Sequence, residues 1–332
     1  MFIGGPHREA CLQAVAPLDA QRRSRRSSQI LEEMGCRGWS FDDVLPQRGA
    51  LKRRTERGKP CPARAIVRSE STRQPFQLRA RAMSVPDFLG LEGKVAIVTG
   101  AAGDIGGQTV KLFLEQGVKV VAEDLRPSVR DLVSAGRVVA VEGDVADENV
   151  AAQAVAAARD AFGRVDILVN NAGRTLKKAV LEMTVADWDG MMQTNARGCF
   201  VQSRAALGAM VEAGSGVIVN VASIVSVVGM PGVAAYAASK GAIAQLTKVL
   251  AIDFGKQNIR VNAVAPGVVE TGILDHFDPN GRQTLVNAGP AHPIGRVAQP
   301  SEIANVIAFL ASPRSSFMTG SIVLADGGYT AL

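Results

Sequence analysis

The sequence predicts an α/β fold: one domain built on a doubly wound parallel sheet (Rossmann-like), preceded by a disordered extension. Short apolar runs rich in β-branched residues recur along the last three quarters of the chain, separated by stretches rich in Ala, Leu and Val. Strands that alternate with helices form βαβ units, whose right-handed crossovers place helices on both faces of the sheet. The predicted strands are 95–98, 118–122, 138–141, 165–169, 217–221, 259–264 and 321–324, and the predicted helices include 149–162, 187–213, 237–254 and 301–311.

The first strand leads into a glycine-rich turn and then a helix. Gly100, Gly103 and Gly106 follow the strand, and a helical apolar pattern begins directly after them. Glycine lets the backbone approach a pyrophosphate, and the free N–H groups of a helix N-terminus favour an anion. Asp124 ends the second strand, eighteen residues beyond Gly106, where an acid is placed to hydrogen-bond ribose hydroxyls. The pattern predicts a dinucleotide-binding unit.

Tyr236, Lys240 and Ser223 form a candidate catalytic group. Tyr236 and Lys240 are four residues apart and share one face of a helix, and Ser223 lies thirteen residues before Tyr236. An ammonium beside a phenol favours the phenolate and lowers a pKa that is otherwise about 10. A tyrosine tuned in this way exchanges a proton with an alcohol or carbonyl near neutral pH. Taken alone, the two residues could also be an ordinary surface pair.

Residues 1–82 differ in composition from the rest of the chain. They contain 17 Lys and Arg against 8 Asp and Glu, with no periodic apolar pattern. Such a segment buries little apolar surface, so we expect a basic, disordered extension. Residues 83–332 are then the dinucleotide-binding domain, with Met83 as the native start. A targeting leader, or a tail that binds nucleic acid or an anionic surface, is the alternative.

Cysteine and histidine spacing argues against a metal site. The four cysteines form no Cys-x-x-Cys pattern, and the chain has only three histidines. No apolar span of membrane length and no secretory signal are present, so we expect a soluble, cytoplasmic protein without a membrane partner. The positive charge belongs to residues 1–82, so we expect no nucleic-acid partner for the domain.

Further motifs accompany the glycine turn and the catalytic group in a fixed order. They are Asp144-Val145, Asn170-Asn171-Ala172-Gly173, Asn195 in a helix opened by a Thr184–Asp187 capping-box variant, Pro266-Gly267, Thr271 and Asp326-Gly327-Gly328. With these motifs the chain resembles the short-chain dehydrogenase/reductase family, in its compact single-domain branch. The resemblance covers roughly residues 88–332.

The resemblance implies a role for each catalytic candidate. Tyr236 is the general acid/base, Lys240 lowers its pKa and binds the nicotinamide ribose, and Ser223 holds the substrate oxygen. Asn195 anchors a water that links Lys240 to solvent. A helix–helix hydrogen bond is the alternative for Asn195, and a turn residue at the end of a strand is the alternative for Ser223.

The same resemblance implies a set of cofactor contacts. Gly100, Ile105 and Gly106 line the pyrophosphate, Asp124 binds the adenosine ribose, Asp144 and Val145 border the adenine, Asn171, Ala172 and Gly173 pass beneath the ribose, and Val269 and Thr271, after Pro266-Gly267, hold the carboxamide. Thr271 could instead be a plain helix cap. Asp104 stands where the family usually has a glycine, and its carboxylate makes the phosphate end of the turn more negative.

These residues predict an NAD-dependent oxidoreductase that acts on a small, neutral, hydrophobic secondary alcohol or ketone. Asp124 repels a 2′-phosphate and the turn 101–107 has no Lys or Arg, although Arg126 could soften this preference for NAD over NADP. The apolar loop 224–231 suggests the substrate class. An NADP-dependent reductase of 3-oxoacyl thioesters and a catalytically silent dinucleotide-binding protein are the alternatives.

Two more expectations concern a lid and the assembly. The segment Gly272–Pro293, which contains His276 and Phe277, resembles the mobile lid of the family. The family resemblance also implies a homo-oligomer, most simply a tetramer, whose helices 187–213 and 237–254 pair across a two-fold axis. Small and apolar residues on more than one side of these helices suggest extra surface to bury, namely Ala205, Ala206, Ala209, Ala242, Ala244 and Leu250.

Overall fold

A computed structural model describes residues 88–276 and 278–331 of this chain. The expectations for the extension 1–82, for a start at Met83 and for Phe277 concern positions outside the described residues.

The centre of the domain is a seven-stranded parallel sheet. Its strands are β1 (Val95–Thr99), β2 (Lys119–Asp124), β3 (Val138–Glu142), β4 (Ile167–Asn170), β5 (Gly216–Val221), β6 (Ile259–Pro266) and β7 (Ile322–Ala325). The strand order is β3-β2-β1-β4-β5-β6-β7, and every neighbouring pair is parallel. Each of the seven predicted strands is present. The prediction succeeded because buried parallel strands appear in a sequence as continuous apolar runs.

Seven α-helices surround the sheet in the described residues. They are α1 (Asp104–Glu115), α2 (Glu148–Phe162), α3 (Val185–Met191), α4 (Gly198–Ala213), α5 (Ala234–Phe254), α6 (Gly281–Val286) and α7 (Pro300–Ala311). One prediction was too simple: the single helix expected over 187–213 is two helices, α3 and α4, joined by a π-helical turn over Met192–Arg197. The predicted capping box is confirmed, since Thr184 and Asp187 exchange side-chain and backbone hydrogen bonds at the start of α3.

Apolar side chains fill both faces of the sheet. Helices α1 and α7 cover one face, where Phe113, Ile303 and Ile307 pack against strand residues such as Val120. Helices α2, α4 and α5 cover the other face with a second core that includes Ala154, Leu207, Met210, Leu250 and Ile218. Helices on both faces of one parallel sheet make the doubly wound, Rossmann-like fold that the sequence predicted.

The strand order reverses direction at the boundary between β1 and β4. Ala96 of β1 pairs with Val120 of β2 on one side and with Ile167 of β4 on the other. In open α/β sheets, ligands bind outside the carboxyl ends of the strands at this reversal. Among the helices of residues 88–276 and 278–331, none has both the length and the apolar character needed to cross a membrane.

Candidate active site

The loop after β4 is fastened to the end of β1. The Thr99 hydroxyl accepts hydrogen bonds from the backbone N–H groups of Asn171 and Ala172, both at 3.0 Å. The Asn171 side-chain amide donates to the Thr99 carbonyl at 2.9 Å. The predicted cofactor residues Asn171, Ala172 and Gly173 therefore lie directly beside the glycine turn.

The glycine turn leaves a cradle that a side chain would fill. Gly100 has a φ of +66°, and a Cβ on Gly106 would lie 2.1 Å from the Gly100 carbonyl oxygen. Within the described residues no side chain caps the N-terminus of α1, so the N–H groups around Ile105 face outward from an open helix end. Close backbone and uncapped N–H groups fit the pyrophosphate of a dinucleotide.

Asp104 is the first residue of α1, and its carboxylate is engaged by a distant segment. Its backbone is helical, so the position does not need the glycine that the family usually has. Oδ2 accepts a hydrogen bond from the Gly272 N–H at 2.8 Å, and Oδ1 accepts one from the Arg282 guanidinium at 3.1 Å. The negative charge expected at the phosphate end of the turn is therefore paired with a cation.

Asp124 ends β2 as a buried carboxylate. Its oxygens accept hydrogen bonds from the Ala102 N–H at 2.9 Å and from the Arg126 N–H at 2.9 Å. The Arg126 guanidinium also donates to both oxygens, at 3.1 and 3.2 Å, and these bonds raise the pKa of Arg126. The carboxylate predicted to bind the ribose therefore lies at the end of β2, with its neighbouring arginine bound to it.

Glu123, one residue earlier, is a buried acid that the sequence patterns did not predict as a site residue. Its side chain is buried, and Oε1 accepts a hydrogen bond from the Gln202 side chain at 2.7 Å. Oε2 has no hydrogen-bond partner among the described residues. Burial, followed by the charges of Asp124 and Asp144, raises the pKa of Glu123 to about 8. The available signal was an acidic residue inside the apolar run of a predicted strand. Successive strand residues point to opposite faces of the sheet, so Glu123 and Asp124 do not share a face.

The predicted adenine border is packed against α4. Asp144 is exposed, and its carboxylate accepts a hydrogen bond from the Ala146 N–H at 2.9 Å. Val145 is buried, its carbonyl accepts from Gln202 at 3.3 Å, and a Cβ on Gly198 would lie 2.6 Å from its side chain. Helix α4 thus fixes this edge of the site.

Ser223, Tyr236 and Lys240 come together at the end of β5. Ser223 follows the strand, Tyr236 lies in the first turn of α5, and their side chains are hydrogen-bonded. Lys240 is buried, and its ammonium donates to the Val221 carbonyl at 2.7 Å and lies 5.7 Å from the centre of the Tyr236 ring. The three residues and the glycine cradle share the carboxyl edge of the sheet.

Burial governs the ionisation of the two titratable groups. It raises the pKa of Tyr236, against which the hydrogen bond from Ser223 acts, and it lowers the pKa of Lys240 to about 8. From the sequence, Lys240 was predicted to lower the pKa of Tyr236. That effect does not dominate here, because the phenol is enclosed and desolvation disfavours its charged form.

Asn195 joins three parts of the site from inside the π-helical turn. Its side-chain oxygen accepts from the Arg174 N–H at 2.9 Å, and its amide donates to the Arg174 carbonyl at 3.0 Å and to the Ser239 hydroxyl at 2.9 Å. A Cβ on Gly173 would lie 3.2 Å from the Asn195 oxygen and 3.6 Å from the Lys240 nitrogen. The hydrogen bond with Ser239 joins Asn195 to helix α5. The water that would link Lys240 to solvent through Asn195 stays a prediction.

His292 holds the far end of the site and was not anticipated. The Val268 N–H donates to its Nε2 at 3.1 Å, so Nδ1 carries the proton and donates to the Ala288 carbonyl at 3.2 Å. A Cβ on Gly267 would lie 2.9 Å from Nε2. The ring therefore fixes the loop that follows Pro266 and leads to Val269. A histidine in a Gly- and Pro-rich stretch gave no periodic signal.

Val269 and Thr271 complete this loop. Val269 is buried and forms a parallel bridge with Ala298, and the Thr271 hydroxyl donates to the Val269 carbonyl at 3.4 Å. Thr271 lies next to Gly272, which contacts Asp104 at the start of α1. The loop that carries the two predicted carboxamide residues therefore reaches the phosphate end of the cradle in space, although it is far from the cradle in sequence.

An apolar cluster surrounds Tyr236. Ile224, Val225 and Val233 are buried, and the less buried side chains packed against them are Val228, Met230, Tyr236, Ala237 and Tyr329. The loop 224–231 thus lies beside Tyr236, as the sequence analysis proposed. Tyr329, contributed by the C-terminal segment, is an addition to that wall.

Comparison with known proteins decides the family. A family model described as Enoyl-(Acyl carrier protein) reductase matches residues 100–330. The 3-oxoacyl-(acyl-carrier-protein) reductase FabG of Thermotoga maritima is 38% identical over 244 residues, which cover 72% of this chain and 98% of that protein. The chain belongs to the short-chain dehydrogenase/reductase family. The membership confirms the sequence prediction of an NAD(P)-dependent oxidoreductase that acts on CH–OH and C=O groups.

Two other proteins show the breadth of this short-chain dehydrogenase/reductase group. The cis-4-hydroxycyclohexanecarboxylate dehydrogenase of Sinomonas cyclohexanicum is 41% identical over 245 residues, covering 72% of this chain and 97% of that protein. The ligand-free aldohexose dehydrogenase of Thermoplasma acidophilum has 29% identity and a TM-score of 0.68, covering 74% of this chain and 97% of that structure. Their names span cyclic alcohols and sugars, so the family by itself leaves the substrate open.

Proposed function

We propose that this enzyme transfers hydride between NAD and a small, hydrophobic secondary alcohol or ketone. One observation carries the proposal: Ser223, Tyr236 and Lys240 meet at the sheet edge that also holds the glycine cradle. A bound nicotinamide supplies the hydride chemistry, and the protein supplies binding, orientation and proton transfer.

Proton transfer at the substrate oxygen is assigned to Tyr236. In the reductive direction the Tyr236 phenol gives its proton to the carbonyl oxygen as the carbon gains hydride. In the oxidative direction the phenol first loses its proton to solvent, and the resulting phenolate takes the hydroxyl proton of the alcohol as the carbon loses hydride. The Ser223 hydroxyl, which is hydrogen-bonded to the Tyr236 side chain, orients the substrate oxygen. Lys240 uses one of its three N–H donors on Val221, which leaves two for the ribose of the dinucleotide.

NAD is favoured over NADP by the charge at the end of β2. Asp124 presents a carboxylate where a 2′-phosphate would lie, and Arg126 is bound to that carboxylate. A phosphate would have to compete with Asp124 for the guanidinium. An NADP-dependent reduction of 3-oxoacyl thioesters is the second candidate, supported by the similarity to FabG and by the presence of Arg126.

A cyclic secondary alcohol is the substrate class that we infer. The wall beside Tyr236 is built from Val228, Met230 and Tyr329 on an apolar base, which suits a hydrocarbon ring. The relative named for cis-4-hydroxycyclohexanecarboxylate supports the same class.

A homo-oligomer, most simply a tetramer, accompanies this function. Apolar side chains that are exposed in the single chain lie on the helices predicted to pair: Phe200 and Val211 on α4, and Val249 and Ile252 on α5. Large exposed apolar groups on adjacent helices favour a second copy as their cover.

The test is a substrate panel followed by absorbance of the reduced nicotinamide. Cyclohexanol, its 4-carboxy derivative, a linear secondary alcohol and a 3-oxoacyl thioester are each assayed with both cofactors, with Tyr236→Phe as the background control. The proposal predicts turnover of the cyclic alcohols, with NAD preferred by at least about tenfold, which corresponds to about 1.4 kcal/mol. Turnover of only the thioester with NADP would replace it with the second candidate.

A further inference from the structure

Asp104 connects two parts of the site that are far apart in sequence. Its two carboxylate oxygens bind the Gly272 N–H at 2.8 Å and the Arg282 guanidinium at 3.1 Å. Gly272 follows Thr271, and Arg282 lies in α6. We call residues 272–276 and 278–286 the lid segment. One side chain at the first position of α1 therefore holds the lid segment at both its beginning and its helix.

Charge strengthens this connection. Arg282 faces three carboxylates, those of Asp104, Asp275 and Glu270, and its pKa is raised chiefly by the hydrogen bond with Asp104. The Arg282 side chain also donates to the Glu270 carbonyl at 3.3 Å. The guanidinium thus ties α6 both to the glycine turn and to the loop that carries Val269 and Thr271.

The local geometry leaves little freedom for an alternative arrangement at Gly272. A Cβ at this position would lie 2.5 Å from Asp275 Oδ2. The Asp104 backbone is helical, so the carboxylate is not needed to shape the turn. An ordinary glycine at 104 would support the same helix start but would offer no acceptor to Gly272 and no partner to Arg282.

We propose that Asp104 is a positioning residue that latches the lid segment onto the glycine turn before the dinucleotide binds. The latch keeps the lid segment ordered beside the cradle, and it must open each time a dinucleotide enters or leaves between α1 and the loop after β6. This inference rests on the proposed function only in taking a dinucleotide as the molecule that the lid segment covers.

Hydrogen–deuterium exchange on the full, cofactor-free chain tests the latch directly. Asp104→Ala and Arg282→Gln should each raise the exchange rates of amides in 272–275 and in α6 about fivefold, the change expected for losing about 1 kcal/mol of local stability. Asp104→Asn should fall between wild type and Asp104→Ala, because its amide oxygen still accepts from Gly272. Added salt should increase exchange in wild type and leave Arg282→Gln nearly unaffected.

The matched control is Arg159→Gln. Arg159 pairs with Glu212 near the C-terminal ends of α2 and α4, at the edge of the sheet opposite the site. This variant removes an exposed arginine from an ion pair and should leave exchange in the lid segment at the wild-type rate.

Release of the reduced dinucleotide supplies the second readout. Followed by nicotinamide fluorescence in a displacement experiment, the dissociation rate should rise about fivefold in Asp104→Ala and Arg282→Gln. Wild-type lid exchange in both variants would overturn the latch, and so would faster exchange with an unchanged dissociation rate. The exchange measurement needs neither turnover nor dinucleotide, so an inactive enzyme would sink the proposed function and leave the latch standing.

Discussion

Lys240 is the proposed catalytic residue whose charge depends most on pH near neutrality. Burial lowers its pKa to about 8, so most Lys240 side chains carry the ammonium charge at pH 7 and lose it as the pH rises through 8. We therefore expect dinucleotide affinity to weaken between pH 7 and 9. Lys240→Met should lose both affinity and rate at pH 7 and should lack this pH dependence in binding calorimetry.

Lys248→Met is the control for that experiment. Lys248 lies on the same helix eight residues later and is exposed, so its removal should leave affinity and rate unchanged. Wild-type affinity in Lys240→Met would show that the ammonium serves only the tyrosine.

Glu123 makes the stability of the domain depend on pH. Its pKa is about 8 in the fold against 4.5 for the free side chain, so the folded state holds more protons between these values. Stability therefore falls as the pH rises from 4.5 to 8. Glu123→Gln removes this loss and should gain up to about 5 kcal/mol over wild type at pH 9, because a tenfold change in an ionisation constant corresponds to about 1.4 kcal/mol.

Urea unfolding at pH 5 and pH 9 measures this gain. The exposed Glu182→Gln serves as control, with equal effects at both pH values. A gain for Glu123→Gln that is the same at pH 5 and pH 9 would contradict the assignment of the titrating group.

At the scale of elements, structures that depend on neighbouring residues could be predicted from the sequence. Contacts between residues far apart in the chain could not. The strands and the Thr184–Asp187 cap follow from neighbouring residues, and both are present. The π-helical turn within 187–213 coincides with Asn195 binding the backbone of Arg174, twenty-one residues away, which periodicity cannot reveal. The contact of Asp104 with Arg282 spans 178 residues and is hidden from sequence for the same reason.

His292 sets the position of the loop between β6 and α6. His292→Leu would leave the part-buried Val268 N–H without its acceptor, and the full cost of an unpaired buried donor, about 1–3 kcal/mol, is an upper bound for this loss. We expect a lower melting temperature and weaker dinucleotide binding. His292→Gln keeps both an acceptor and a donor and should recover part of each loss. Equal behaviour of the two variants would show that the ring acts through packing against Tyr329 alone.

At the scale of the whole molecule, the helices proposed for assembly carry exposed apolar residues, but most of the residues that the sequence named on them are not available to a partner. Ala206, Ala209, Ala244 and Leu250 are buried within the single subunit, so they offer no surface to a partner. Phe200, Val211, Val249 and Ile252 are exposed on the same helices. Hydrophobicity alone cannot distinguish a residue of the subunit core from one at an interface, because both are apolar.

A chain that begins at Met83 should be a tetramer with full activity. Ile252 is 80% exposed on α5, so Ile252→Asp should lower the mass seen by light scattering at micromolar concentration. Val133→Asp, at a side chain that is 57% exposed away from α4 and α5, should leave the mass unchanged. A monomer mass for the unaltered Met83 chain would rule out the assembly, and a loss of rate would show that residues 1–82 contribute.

Tyr236→Phe tests the central claim most directly, because it removes one oxygen from a site whose cradle, Ser223 and Lys240 stay in place. Single-turnover oxidation of a cyclic alcohol is measured together with NAD affinity in the same preparation. The account predicts a loss of at least about a hundredfold in the rate of hydride transfer, the usual contribution of a general acid/base, with affinity nearly unchanged. A variant that kept more than about a hundredth of the wild-type rate would show that the proton moves through another group.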